Sequence, residues 1–399
     1  MFAVGNLTIL LLYLRITSEA SSLFYQASFT IHRKVAFCHH HRPYHQRSLS
    51  HLQTSSSPSP TSSINTESVV PLNTSPKTQD YNEETILKGR HKWLGGAVDP
   101  KDDSVYGIPS HSGHVICLAP PNGDSKQKEG RANASYTINY LPLPSSMASA
   151  KNDKSHQFKW LRGIIANEKL FGIPAWFNGV LSVDIRGWRK WRDANPEKRF
   201  VDLRLSEQFV SIIPLPNDSD QTLKRWMWHG AALNANKTAI YCIPSNAAHV
   251  LKVDLRSMST SYLPIPDFSN GYTTTTADLL SLTNKWYGGI LGHDNAIYGI
   301  PYAAGSVLRI DANDDTVSLI GDYGCNKYNW HGGVLANGSI YAFPAHAESV
   351  LKIDTGMGVE DRLNTLPIDR AEYDVCNVTK YKWLGGSIGA DGNVVSCRV

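Results

Sequence analysis

From Trp93 to the end of the chain, apolar residues come in short runs bounded by Gly, Asn, Asp, Ser or Pro. Some runs alternate with polar residues and others are wholly apolar. None keeps the 3.6-residue spacing of an amphipathic helix, so the pattern predicts short strands joined by tight turns. Aligned to itself, the chain holds six copies of one unit. They open on "KWLGGAV" at Lys92, "KWLRGII" at Lys159, "MWHGAAL" at Met227, "KWYGGIL" at Lys285, "NWHGGVL" at Asn329 and "KWLGGSI" at Lys382. The first five continue into a turn and a run closed by proline, as in "VYGIP" and "AIYGIP", and then into a third run such as "HVLKVDL" or "SVLKIDT". Asp184, Asp254, Asp311 and Asp354 stand at the end of that third run, where an Asx turn would stop it. A fourth run ends on a Leu-Pro pattern in most copies, for example "NYLPLP" and "SYLPIP".

Four short strands per ~40 to 50 residues, with insertions at one junction, is the signature of a β-propeller blade. The bare unit, Trp286 to Trp330, is 44 residues. The expected fold is therefore an all-β β-propeller over residues 81–399, with six blades and an incomplete closing blade, since the sixth copy supplies only two strands. An open or truncated seven-bladed ring is the alternative. Glu83 to Gly89, "EETILKG", is the segment ahead of the first Trp that would serve as a closing strand. The paired glycines after Trp fit an inner strand where a Cβ would crowd, the proline ends pairing by removing a donor, and the Trp fills the space between tilted sheets.

Residues 1–80 differ in composition. An apolar core from Leu7 to Leu14 with a small-residue cleavage site at Ser18 to Ala20 reads as a signal peptide over residues 1–20, and residues 21–80, rich in Ser, Thr, Pro and His, read as a low-complexity disordered or transit-like segment. Secretory or extracellular placement is expected, with a plastid route through a bipartite presequence as the alternative. Sequons at Asn73, Asn133, Asn217, Asn236, Asn337 and Asn377 fit that passage. No segment reaches membrane-spanning length. A net charge of +4 without a basic block argues against a nucleic-acid partner. Six cysteines without a CxxC pair point to no zinc or thioredoxin-like motif. They read as small buried hydrophobes, although Cys325 and Cys376 would meet across neighbouring units in an oxidising compartment.

The repeat resembles the KWxGGxLxxNGxIYGIPxxAxxVLxID type of algal and other protist β-propeller proteins, and more distantly kelch and quinoprotein-type propellers. The resemblance covers residues 92–399. It implies the fold and not a chemistry, because propellers host binding, lyase, hydrolase and oxidoreductase functions alike. Two positions depart from the pattern. Arg162 replaces the first glycine of its pair, and Arg398 stands where proline is expected.

In a blade whose second strand returns along the first, the loops after proline and the residues leading into each inner strand open on one face. This face would gather His111, His114, Trp176, Asn246, His249, Tyr302, His346 and Glu348 from the loops, and His229, Tyr287 and His331 from beside the Trp residues. Polar and aromatic side chains on loops held by a rigid frame make a ligand site. Lys92, Lys159, Lys285 and Lys382 would favour an anionic or polyhydroxy ligand. Arg162 needs an acceptor in the channel, either an acidic side chain or the carboxylate, phosphate or sulfate of a ligand.

His229 and His331 are weak metal candidates, since the repeats hold no HxH or HxxxH spacing. No cofactor is indicated, and no carboxylate pair, nucleophile elbow or phosphate loop is present in the repeats. The insertion Arg186 to Phe200, "RGWRKWRDANPEKRF", reads as a solvated hairpin or an anionic-polymer site on the opposite face. The expected function is a monomeric scaffold binding a small polar or anionic molecule, a glycan or a protein partner at the channel mouth. The alternative is a lyase or hydrolase using His229, His331, His111, His346 and Arg162 there, with or without a metal.

Overall fold

The computed structural model describes residues 83–121, 136–147, 157–217, 225–266, 276–325, 327–356, 362–368 and 382–398. The signal-like and low-complexity segments, the sequons at Asn73, Asn133 and Asn377, and Cys38 and Cys376 lie outside them.

Among the described residues, five four-stranded antiparallel sheets and one two-stranded sheet follow one another, each in simple up-and-down order. After the helix α1 (Glu83–Leu87), blade 1 is β1 (Trp93–Val98), β2 (Val105–Pro109), β3 (His114–Ala119) and β4 (Thr137–Pro142). Blade 2 is β5 (Trp160–Ala166), β6 (Lys169–Pro174), β7 (Val180–Asp184) and β8 (Val210–Ile213), with helices α2 (Ile185–Ala194) and α3 (Leu203–Ser206) inserted before β8. Blade 3 is β9 (Trp228–Leu233), β10 (Ala239–Pro244), β11 (His249–Asp254) and β12 (Ser259–Pro264), followed by α4 (Thr276–Ser281). Blade 4 is β13 (Trp286–Leu291), β14 (Ala296–Pro301), β15 (Val307–Asp311) and β16 (Val317–Ile320). Blade 5 is β17 (Trp330–Ala336), β18 (Ser339–Pro344), β19 (Ser349–Asp354) and β20 (Leu363–Pro367), and blade 6 is β21 (Trp383–Ile388) with β22 (Val394–Arg398). First strands pack in series, β1 on β5, β5 on β9, β9 on β13, β13 on β17 and β17 on β21. This is the expected propeller with an incomplete sixth blade.

Each repeated residue has a physical task. The Trp160, Trp228 and Trp286 side chains are fully buried between blades. Each first-strand indole of blades 1 to 5 donates its Nε1–H to the carbonyl at or just before the start of the third strand: His114 for Trp93, Gly179 for Trp160, His249 for Trp228, Ser306 for Trp286 and Ser349 for Trp330, at 2.7–2.9 Å. The first strands carry a bulge just after the Trp, as between Trp160 and Gly163 or Trp330 and Gly333. The first glycine of the pair sits on that bulge at positive φ, +85° at Gly95, +102° at Gly230, +75° at Gly288 and +69° at Gly332. Crowding adds to this at Gly95, where a Cβ would come within 2.9 Å of the Arg162 backbone, but not at Gly332, where it would meet nothing within 4 Å. The requirement for glycine is therefore first one of backbone conformation.

A belt of backbone hydrogen bonds ties the post-proline loops together. Lys159 N–H donates to Ser110, Met227 to Ala175, Lys285 to Ser245, Asn329 to Tyr302 and Lys382 to Ala345, all at 2.8–3.3 Å. Each acceptor residue in turn donates its own N–H to the residue before its blade's Trp. The face on which the loops open is thus a continuous, rigid rim.

Three expectations need correction. Glu83–Leu87 is a helix and not a closing strand. Tyr140 Oη–H donates to Glu83 at 2.7 Å, Arg199 pairs with Glu83 at 3.3 Å, and Ile86 covers the apolar face of blade 1 formed by Val105, Ile116, Leu118 and Ile138.

The basic insertion is likewise neither a hairpin nor a free cationic surface. The Asp184 side chain caps α2 by accepting from Gly187 N–H at 3.1 Å, and Trp188 packs on Tyr106. Arg189 is buried in ion pairs with Asp99, Asp102 and Glu168, and Arg192 bonds Asp102 and Ser104. The insertion fastens blade 2 to the turns of blade 1.

The third correction concerns the lysines before Trp. Lys159, Lys285 and Lys382 are buried. Lys159 Nζ donates to the Ser112 carbonyl at 3.1 Å, Lys285 Nζ to that of Leu282 at 3.4 Å and Lys382 Nζ to that of His346 at 3.1 Å. Burial, helped by the neighbouring Lys92 charge, brings Lys159 down to about 7. These ammonium groups brace loops and do not line a ligand surface.

Candidate ligand-binding site at the channel mouth

The rigid rim divides the predicted site residues into three groups. His229, Tyr287, Tyr302, His331 and His346 come together over blades 3 to 5. The His229 ring stacks on Tyr287 at 4.0 Å, Tyr287 on Tyr302 at 4.5 Å, and Tyr302 on Tyr328 at 4.7 Å. His331 stands edge-on to Tyr287 at 4.7 Å, and His346 lies 5.7 Å from Tyr328. His111 and Trp176 belong to a second cluster over blades 1 to 3, where both pack on Phe158, at 4.2 and 4.7 Å.

His114 and His249 do not reach the mouth. They open third strands, where His114 packs edge-on to Tyr140 at 6.4 Å and His249 stacks on Tyr262 at 5.4 Å. Asn246 braces the loop, accepting from Asn284 N–H and donating to the Arg225 carbonyl, both at 2.6 Å. Glu348 is exposed on the blade 5 loop, where its charge acts on Lys382.

Arg162 is the distinctive residue. It occupies the bulge position that is glycine in blades 1, 3, 4 and 5, and it keeps the same left-handed backbone at φ +67°. A side chain there costs about 1–2 kcal/mol. Its side chain is exposed, and no described residue makes a hydrogen bond or ion pair with it. The structural ion pair considered from sequence is therefore absent among the described residues.

The Arg162 charge reaches both channel histidines. Burial first, then Arg162 and His331, pushes His229 down to about 3. His331 is lowered by burial, with Arg162 adding to the effect. His331 Nδ1 lies 2.9 Å from the Leu384 carbonyl, which can only accept, so Nδ1 carries the proton and Nε2 keeps a lone pair. The His229 Nδ1 atom is buried without a partner among the described residues. The mouth thus joins one permanent cation to neutral imidazoles. The rings of His229 and His331 are 6.1 Å apart, and no group of three or more His, Cys, Asp or Glu among the described residues is arranged to hold a metal ion.

Sequence reasoning passed over one position of the repeat. The residue two before each Trp is left-handed in five blades: His91 at φ +55°, Phe158 at +51°, Trp226 at +57°, Asn284 at +58° and Tyr328 at +52°. It is paired through the backbone with the post-proline loop, as in His111 N–H to His91 O and Trp176 N–H to Phe158 O. Shifting the repeat alignment two residues upstream would have shown the excess of rings there.

Fold and site together define a β-propeller with a basic channel mouth framed by aromatic residues. No family model and no curated protein matches the chain. Among solved structures it is similar to virginiamycin B lyase from Staphylococcus aureus, at 12% identity over 77% of this chain and 84% of that one, with a TM-score of 0.47. It is also similar to a putative 6-phosphogluconolactonase from Bacteroides uniformis, at 9% identity over 75% and 76% of the two chains and a TM-score of 0.42. A chain of a nidogen/laminin complex is similar at 8% identity over 69% and 80%, with a TM-score of 0.38. The likeness is one of fold. No helix among the described residues is long and apolar enough to cross a membrane.

Proposed function

We propose that this β-propeller is a binding module whose channel mouth takes an anionic, polyhydroxylated ligand. Arg162 supplies a forked donor for the acid group, while the His331 Nε2 lone pair accepts from a hydroxyl. The observation that supports this most directly is Arg162 itself, an arginine in a backbone conformation suited to glycine, with its guanidinium left without an acceptor among the described residues. Glucuronate titrated into the full chain by calorimetry is expected to bind. Arg162→Gln should weaken it by roughly 10- to 100-fold, the range for one charge-assisted contact. Equal binding by wild type and Arg162→Gln, or none by either, would refute the reading.

A second reading, a lyase or hydrolase, draws on the fixed His331 tautomer. A neutral imidazole with a free Nε2 beside a cation is equipped to take a proton from carbon or water next to a bound carboxylate. In that case His331→Gln would abolish turnover of a uronate substrate while leaving its affinity within a few-fold.

A further inference from the structure

Over blades 1 to 3 the same rim carries an aromatic shelf that the channel-mouth residues do not use. Phe158 lies 4.7 Å from Trp176 and 4.9 Å from Trp226, the two indoles meet edge to face at 5.8 Å, and the Arg225 guanidinium sits 4.5 Å over the Trp176 ring. All three rings remain partly exposed, as does Arg225. We infer that the ligand is an acidic oligosaccharide, and that Phe158, Trp176, Trp226 and Arg225 form a subsite for sugar residues beyond the one held by Arg162. The inference rests on the channel-mouth reading and adds a ligand class to it.

The scaffold does not need these rings. Blade 4 makes the same backbone bond between Ala303 and Asn284 that blade 2 makes between Trp176 and Phe158. Asn tolerates the left-handed region, whereas a bulky residue there is a conformational outlier. Phe158 at φ +51° and Trp226 at +57° are therefore disfavoured choices at a position where Asn284 suffices. The Nε1 of Trp176 is buried with no acceptor among the described residues.

The shelf is also joined to Arg162 along one strand, β5. Phe158 leads into β5 and Arg162 follows four residues later on the same strand, so the two are about 10–13 Å apart at ~3.3 Å per residue. That span exceeds a monosaccharide and suits a short oligosaccharide. The C–H face of a pyranose packs on flat aromatic rings, hydroxyls suit the neutral imidazole, and the two arginines can each meet an acid group. An acidic peptide would satisfy the arginines, but among the described residues the N–H groups of Ser110, Ala175, Ser245, Tyr302 and Ala345 that a strand would need are already spent in the belt.

The test compares galacturonate, tetragalacturonate, the neutral cellotetraose and tetraglutamate, using calorimetry and tryptophan fluorescence on the full chain. Tetragalacturonate should bind at least about tenfold tighter than the monomer and perturb the indole emission. Trp176→Ala and Trp226→Asn restore the residue types of blade 4 and should fold. Each should bring the tetramer toward the monomer's affinity and leave the monomer unchanged, whereas Arg162→Gln should weaken both.

An unchanged tetramer-to-monomer ratio in both shelf variants overturns the inference, and so does tighter binding of cellotetraose or tetraglutamate. Loss in the shelf variants with no effect of Arg162→Gln would keep the shelf and refute the channel-mouth reading, so the two failures are distinguishable.

Discussion

Replacing Arg162 by glycine should make the protein more stable and less able to bind. The backbone there is at φ +67°, in a bulge whose equivalents in blades 1, 3, 4 and 5 are glycine. Removing the Cβ relieves about 1–2 kcal/mol of left-handed strain. The extra freedom of glycine in the unfolded chain returns about 0.5–1 kcal/mol of that. The net gain is centred near about 0.7 kcal/mol within a span of about 0–1.5 kcal/mol, or roughly 1 °C and at most about 2–3 °C in the melting midpoint for a domain above 250 residues. No ion pair or hydrogen bond is lost in exchange, because the guanidinium makes none with described residues.

Urea unfolding of wild type, Arg162→Gly and Arg162→Gln separates the terms. The Gln variant keeps the strain and should match wild type in stability, while both variants should lose the acidic ligand. Histidine NMR gives an independent readout. Without the Arg162 charge His331 should titrate higher than in wild type, yet stay below its ordinary range, since burial is the larger cause. A destabilised Arg162→Gly would mean that the side chain holds the channel together. A stabilised variant with full affinity would mean that Arg162 is merely tolerated. Either result refutes the reasoning.

Acid should destabilise the fold before the carboxylates titrate. His114 is held down at about 4 and His229 at about 3, chiefly by burial. The unfolded chain therefore takes up protons first as pH falls below about 6.5, and stability drops from there toward pH 4. Urea midpoints at pH 7.5, 6 and 4.5 check this, and His114→Gln should flatten the slope. Arg189→Met should cost about 3–5 kcal/mol, because it leaves Asp99 buried without its partner. Guanidinium unfolding measures the loss, and amide exchange in residues 185–194 should accelerate as the α2 latch opens.

The scaffold was legible in the sequence because its requirements recur. Trp, Gly and Pro at fixed offsets in successive copies report an inter-blade plate, a left-handed bulge and a strand end, and each has the structural partner its chemistry asks for. The errors fall where a residue's surroundings come from another part of the chain. Lys159 looks like a surface cation until the carbonyl of Ser112, on the loop of the preceding blade, takes its ammonium group. The run "RGWRKWRDA" looks like a solvated basic patch until Asp99 and Asp102, some 90 residues earlier, are seen to receive Arg189 and Arg192. Glu83–Leu87 is too short for periodicity to tell a helix from a strand, and its position is set by Tyr140 and Arg199.

The site obeys the reverse rule, because it shows where the repeat is broken at a cost. A position that scaffold chemistry alone would fill with glycine carries Arg162, and positions where Asn284 serves carry Phe158 and Trp226. Each of these exceptions sits at a left-handed backbone on the same face, and each adds a cation or a ring and no internal ion pair. Drift would favour small side chains or Asn at positive φ. Along this rim the left-handed positions carry His91, Phe158, Arg162, Trp226 and Tyr328, and blade 4 alone keeps Asn284 among the described residues. Strain retained at such cost needs a compensating interaction. Arg162 has no acceptor among the described residues, which is why the binding reading proposed above assigns its compensation to the acidic ligand.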